Sequence, residues 1–109
     1  MSNVSAERRV GPRRAMVLAT EVVELPRGAK LSARTADMGR TGCYIDTLNP
    51  IPIGSQVRVR VTHNDEHFET LGRVVYVSPG LGMGIAFAEI APDQLARLDR
   101  WLKESGTEF

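Results

Sequence analysis

Arginines concentrate near the start of this chain, in an arrangement suited to binding an anion. Arg8, Arg9 and Arg13 lie within a span of six residues. Gly11 and Pro12 discourage a helix there, so the segment is expected to be extended or turning and able to wrap a ligand. A guanidinium group donates paired hydrogen bonds to phosphate oxygens, or to O6 and N7 of guanine. The cluster therefore predicts a site for a ligand that carries phosphate, guanine or both.

The distribution of charge favours a discrete anionic ligand over a long polyanion. Four arginines and Glu7 give residues 1–14 a net charge of +3, although the whole chain carries only +1. A local basic cluster on a nearly neutral body is poorly suited to tracking a nucleic acid polymer. Charge alone leaves one alternative open, which is a basic tail that is simply solvated.

A second polar element spans residues 37–42, with the sequence Asp37-Met38-Gly39-Arg40-Thr41-Gly42. It is predicted to form a turn between two strands. Its aspartate can accept hydrogen bonds from guanine N1–H and the 2-amino group, on the edge opposite to the one that arginine reads. The two glycines permit tight backbone geometry and close approach of a ligand. The alternative is that Asp37 and the glycines only form the turn. Arg40 is either a further phosphate contact or a solvent-facing side chain.

Other reactive side chains do not form a recognisable catalytic or metal-binding arrangement. His63 and His67 flank an expected hairpin turn and are interpreted as exposed turn residues. Cys43 lies in a predicted strand, where a buried thiol is expected. The glycines at 80, 82 and 84 match no phosphate-binding loop and instead predict a strand that bends or packs under neighbouring backbone. We expect no enzyme activity, no metal and no cofactor.

Strand patterns dominate the rest of the sequence. Val57, Val59 and Val61 alternate with arginines in the clearest strand, residues 56–62, and further strands are predicted at residues 14–25, 30–36, 43–47, 68–77 and 82–88. Phe68, Tyr76 and Phe87 are assigned to the core. A helix begins at Pro92, carries the stripe Leu95, Leu98 and Leu102, and should end near Gly106, with Trp101 as a packing anchor. This pattern predicts a mainly β fold with a C-terminal α-helix.

Length and composition limit the number of domains and the expected cellular location of the protein. The 109 residues suit one domain, and they include a single cysteine. One cysteine cannot form an internal disulfide, and the polar residues 1–10 lack the apolar core of a signal peptide. No apolar run is long enough to span a bilayer. We therefore expect a cytoplasmic protein with no membrane insertion.

The two polar elements together resemble the PilZ domain family. Arg9-Val10-Gly11-Pro12-Arg13 matches its RxxxR element, and residues 37–42 match its [DN]xSxxG element. The resemblance covers nearly the whole chain and includes Cys43-Tyr44-Ile45, Pro52-Ile53-Gly54, Gly84-Ile85-Ala86-Phe87 and the closing helix.

The resemblance implies a six-stranded antiparallel β-barrel that binds cyclic di-GMP on its outer surface. It implies a PilZ domain over residues 8–104, with residues 1–7 a flexible N-terminus and residues 105–109 a tail. Arg9, Arg13 and Asp37 would take phosphates and guanine edges, while Gly39 and Gly42 support the ligand loop. Arg8 occupies the position that in this family accompanies an intercalated ligand dimer, so two stacked nucleotides are expected.

One position departs from the family pattern, because Gly39 stands where the family has serine. Losing one neutral hydrogen bond costs about 0.5–1.5 kcal/mol, so weakened binding is expected. The resemblance implies signalling to a downstream protein in motility, biofilm formation or exopolysaccharide synthesis, by a monomer or weak homodimer. Two alternatives remain, a PilZ-like protein-interaction module that binds no nucleotide and, ranked lower, a small basic barrel for RNA or DNA.

Overall fold

The computed structural model describes residues 13–105. Seven strands and one helix make up this part of the chain: β1 (Arg14–Ala15), β2 (Ala19–Leu25), β3 (Ala29–Met38), β4 (Gly42–Asp46), β5 (Gln56–His63), β6 (Glu66–Ser78), β7 (Gly82–Phe87) and α1 (Pro92–Ser105). The strands are antiparallel throughout.

Six of the strands close into a barrel, which confirms the predicted fold. The hydrogen-bonded order β3-β2-β5-β6-β7-β4 returns to its start because β3 also pairs with β4. Strand β3 can join both neighbours because its first half pairs with β2 and its second half with β4. The two-residue strand β1 adds to the second half of β3, opposite Asp37 and Met38.

The barrel interior is filled by residues that alternate along each strand. Val57, Val59 and Val61 of β5 are fully buried, and Phe68 and Val74 of the neighbouring strand β6 are buried in the same core, with Phe68 paired directly with Val61. Burying a valine or phenylalanine side chain is worth about 1.5–3 kcal/mol. The β5–β6 hairpin turns at Asn64 and Asp65, whose φ angles are 51° and 64°. Both angles fit the two-residue turn expected from these residue types.

The prediction of one strand over residues 14–25 was wrong. Residues 16–18 are not in a strand, and the buried Thr35 of β3 explains the break. Its Oγ1 donates to the Met16 carbonyl and accepts from the Leu18 N–H at 3.0 Å. The Thr35 side chain thus bonds to two backbone groups that would bond to backbone in a continuous strand. Strands β1 and β2 are therefore separate.

Helix α1 packs against β6 and carries an apolar side of Leu98, Trp101 and Leu102, all buried. Leu95, predicted in the same stripe, is only partly buried. Trp101 is 1% exposed and contacts the Phe68 ring, which confirms its predicted role as an anchor.

Side chains of α1 also satisfy backbone groups of β6. The Glu69 N–H donates to Gln94 Oε1 at 2.8 Å, and Arg97 donates to the His67 carbonyl at 2.6 Å. The helix therefore covers a stretch of strand edge that would otherwise be open to pairing with another chain.

Glu66, at the start of β6, joins the hairpin to the helix. It accepts hydrogen bonds from Arg100 at 2.7 Å and from Trp101 Nε1 at 3.1 Å. These two donors lower the pKa of the Glu66 carboxyl to about 2.

The two histidines lie near this hairpin. His67 is exposed and its ring is 3.0 Å from Thr62 Oγ1, whereas His63 is partly buried with its ring edge-on to Trp101. Among residues 13–105, no three His, Cys, Asp or Glu side chains are grouped as a metal site. Within the same range, no helix is long and apolar enough to cross a bilayer.

Candidate functional site

A β-bulge in β3 presents Asp37 to the outside of the barrel. The β3–β4 register pairs Thr35 with Ile45 and Asp37 with Tyr44, so Ala36 is an extra residue. Thr35 is fully buried, while the Asp37 side chain is 32% exposed. An uninterrupted strand would have directed residues 35 and 37 to the same face. Asp37 is therefore on a strand, and only residues 39–41 form the turn predicted for residues 37–42.

Arg13 meets Asp37 at this position, across 24 residues of sequence. Its Nη2 and Nε donate to the same oxygen, Asp37 Oδ1, at 2.5 and 3.1 Å. Both side chains are partly exposed. The two polar elements singled out in the sequence are thus brought into direct contact.

The pair lines an open groove with a volume of about 790 Å³. That size falls in the range of about 300–1,000 Å³ that is usual for small-molecule sites. Strands β3, β4, β6 and β7 form the groove, which is lined by Arg13, Asp37, Thr41, Gly42, Cys43, Val75, Tyr76, Gly84, Ile85 and Ala86. Arg13 and Asp37 are the charged members of this set, and their charges cancel.

Cys43 contributes to the groove through its backbone position, since the residue is 1% exposed. Burial raises the pKa of its thiol to about 12, and the nearby Arg13 charge opposes this only in part. A protonated, enclosed thiol is neither a nucleophile nor a metal ligand at neutral pH. Its predicted role as a buried strand residue is confirmed.

Two glycines allow the strands of the groove to approach closely. A Cβ on Gly42 would be 2.3 Å from the Ile85 carbonyl oxygen, and one on Gly84 would be 2.2 Å from the Tyr76 ring. Gly42, predicted to support the ligand loop, therefore maintains the contact between β4 and β7. The prediction that the glycines of β7 pack under neighbouring backbone is confirmed at Gly82, where an added Cβ would be 2.3 Å from the Ile45 carbonyl oxygen, whereas Gly84 packs under a side chain.

Tyr76 lines the groove, and its assignment to the core was wrong. A second bulge leaves Val75 unpaired between Val74 and Tyr76, which shifts the following side chain to the outer face. The Tyr76 residue is 48% exposed, whereas Phe68 on the same strand is fully buried. The sequence holds no signal for this bulge, because residues 74–77 are all strong strand formers.

The other predicted site residues are placed as follows. Arg8 and Arg9 lie outside the described residues. Gly39 is buried in the turn, where its N–H donates to the Gly42 carbonyl at 2.9 Å. Arg40 is exposed and forms an ion pair with α1, since its Nε is 2.9 Å from Asp99 Oδ1.

Solved structures with the same fold include three proteins. The PilZ domain of CeSA from a cellulose-synthesizing bacterium matches with a TM-score of 0.69 and 18% identity, over 84% of this chain and 97% of that one. The PilZ domain of Escherichia coli YcgR, solved with c-di-GMP, gives a TM-score of 0.75 and 15% identity over 91% and 92%. The Bacillus subtilis inhibitor of motility, MotI/DgrA, gives 0.70 and 17% over 86% of this chain and 48% of that one.

None of the curated proteins matches this chain significantly. The family model described as PilZ domain, in contrast, matches residues 7–104. That match includes both polar elements, every strand within residues 13–105 and nearly all of the helix. The chain belongs to the PilZ domain family.

Proposed function

We propose that this chain is a non-catalytic receptor domain for cyclic di-GMP that works in the cytoplasm. The observation that carries the proposal is the contact between Arg13 and Asp37 in the lining of the open groove. Arginine and aspartate are complementary to opposite edges of guanine, and both lie beside a cleft of suitable size. The ligand-bound YcgR domain, a structural relative, is consistent with this ligand class.

Charge balance assigns a role to Arg8 and Arg9 in the proposal. The described lining of the groove has no net charge, because Arg13 and Asp37 offset each other. A cyclic dinucleotide carries two phosphates, so its binding requires further cations. We assign that task to Arg8 and Arg9, which fold over the bound ligand, and we expect two stacked nucleotides per domain. Gly39 and Gly42 complete the site as its backbone support.

Two arginines beside the motif residues give the proposal a route for signalling. Arg14 Nε donates to the Leu102 carbonyl of α1 at 2.9 Å, and Arg40 bonds to Asp99 of the same helix. The arginine element is thus attached to α1 by Arg14, which follows it, and the element of residues 37–42 by Arg40, which lies within it. We propose that ligand binding shifts these elements and alters the helix surface offered to a partner protein.

Calorimetric titration of the purified chain with cyclic di-GMP, cyclic di-AMP and GTP tests the proposal. Binding restricted to cyclic di-GMP is expected, with weaker binding for the Arg9→Ala and Arg13→Ala variants. Arg58→Ala, an exposed arginine on β5 outside the groove lining, is the matched control. Undetectable binding at high micromolar ligand would favour the alternative of a protein-interaction module. Full affinity in both the Arg9→Ala and the Arg13→Ala variant would place the site elsewhere.

A further inference from the structure

Two tyrosines form an aromatic shelf on the outside of the barrel next to Asp37. The ring centroids of Tyr44 and Tyr76 are 5.9 Å apart, and the ring planes differ by 27°. The Tyr76 ring lies against Gly84, where an added Cβ would be 2.2 Å away. Tyr44 lies against Gly82 in the same way, with 2.8 Å to an added Cβ. The glycines of β7 thus let both rings rest directly on the backbone.

The shelf and Asp37 belong to one row of residues across four strands. The register pairs Asp37 with Tyr44, Tyr44 with Gly84, and Gly84 with Tyr76. Neighbouring strands lie about 4.8 Å apart, and the Tyr76 ring reaches over β7, so this ring is about 10 Å from the Asp37 backbone. A dinucleotide held at Arg13 and Asp37 can span that distance.

Both ends of the row depend on a bulge. The bulge at Ala36 turns Asp37 outward, and the bulge at Val75 does the same for Tyr76. Bulges of this kind re-aim side chains and are common beside functional sites. The second bulge leaves a large aromatic ring half exposed, which gives up burial free energy that an inward tyrosine would provide. A ligand that covers the ring would recover it.

We infer that the outer face of the Tyr76 ring stacks on a guanine base of the bound nucleotide. This inference rests on the proposed function and adds to it a contact that neither sequence motif contains. Arg13 and Asp37 read the edges of a base, whereas Tyr76 contacts a base through its π-face. The two kinds of contact address different surfaces of the ligand and are therefore complementary.

Affinity measurements on a set of Tyr76 variants test the inference. Stacking of one base on an aromatic ring corresponds to about a 5- to 150-fold change in affinity. Tyr76→Ala should weaken cyclic di-GMP binding by about this factor, while Tyr76→Phe, which keeps the ring, should stay within about threefold of the wild type. Leu71→Ala is the control, because Leu71 is exposed on the same strand but does not line the groove. Thermal unfolding monitors whether each variant is folded.

Nuclear magnetic resonance of the wild-type complex gives a second readout that does not depend on a variant folding. Stacking predicts an upfield shift of a guanine H8 proton and cross-relaxation between H8 and the Tyr76 ring protons. A wild type that binds without either signal, or a folded Tyr76→Ala that binds as tightly as the wild type, would overturn the inference alone. A wild type that does not bind cyclic di-GMP would contradict the proposed function, and the inference with it.

Discussion

Arg13 and Asp37 are already bonded to each other, so an anionic ligand has to compete with that pairing. Both side chains are about a quarter to a third exposed, and ion pairs of this kind are worth about 0–1 kcal/mol. Hydrogen bonds to charged groups contribute about 1.5–3 kcal/mol each when they are formed with a bound partner. Breaking the existing pair therefore costs a bound ligand at most about 1 kcal/mol, which one charged hydrogen bond to the ligand would offset.

Replacing Asp37 should weaken ligand binding strongly and lower the stability of the fold only slightly. We expect Asp37→Ala to weaken cyclic di-GMP binding about tenfold or more, because one charged acceptor for guanine is lost. The free energy of unfolding should fall by no more than about 1 kcal/mol, since only a partly exposed pair is broken. Calorimetry and urea unfolding measure the two effects. The control is Asp46→Ala, which should change neither quantity, because Asp46 is exposed on β4 and lies outside the groove lining. A large stability loss in Asp37→Ala would show that Asp37 has a structural role instead.

At the scale of strands and helix, the groove depends on how closely β4 approaches β7. Gly42 of β4 and Gly82 of β7 lack side chains at two points where a Cβ would lie 2.3 Å from a carbonyl oxygen of the other strand. The helix is connected to the same region through Arg14 and Arg40. A change in the spacing of the groove strands would thus affect both the site and the helix.

A side chain at Gly42 should disturb this spacing. In Gly42→Ala, the new methyl group would lie 2.3 Å from the Ile85 carbonyl oxygen, which is backbone and cannot rotate away. Overpacking of this kind costs about 1–3 kcal/mol. Urea unfolding should therefore show lower stability, together with weaker cyclic di-GMP binding. The control is Ser32→Ala, because Ser32 is exposed on β3. An unchanged unfolding midpoint in Gly42→Ala would contradict the close approach of β4 to β7.

The contact between Glu66 and α1 should make stability depend on acid pH. The pKa of Glu66 is about 2 in the folded protein against an ordinary value of 4.5, because Arg100 and Trp101 donate to its carboxylate. A lowered folded-state pKa stabilises the protein above pH 4.5, and this stabilisation is lost as the pH falls towards 2. Glu66→Gln should therefore unfold at a lower temperature than the wild type at pH 7, and the difference should shrink below pH 4.5. A difference that stays constant across this range would show that the carboxylate charge is not the cause.

For the whole molecule, local patterns in the sequence predict most of the barrel. The alternating valines of β5, the Asn64-Asp65 turn and the apolar side of α1 each follow from neighbouring residues. The break at residues 16–18 and the bulges at Ala36 and Val75 do not, because they depend on which strand lies alongside. The pairing of Arg13 with Asp37 was predictable only from the family motifs, and the exposure of Tyr76 only from the structure.

The most direct test of the central claim is a calorimetric titration of the wild type and Arg13→Ala with cyclic di-GMP. The account predicts saturable binding to the wild type, with two nucleotides per domain, and affinity lower by about tenfold or more in Arg13→Ala. Cyclic di-AMP should bind much more weakly, since adenine lacks the guanine edge that Asp37 accepts from. No heat of binding from the wild type at high micromolar cyclic di-GMP would contradict the account.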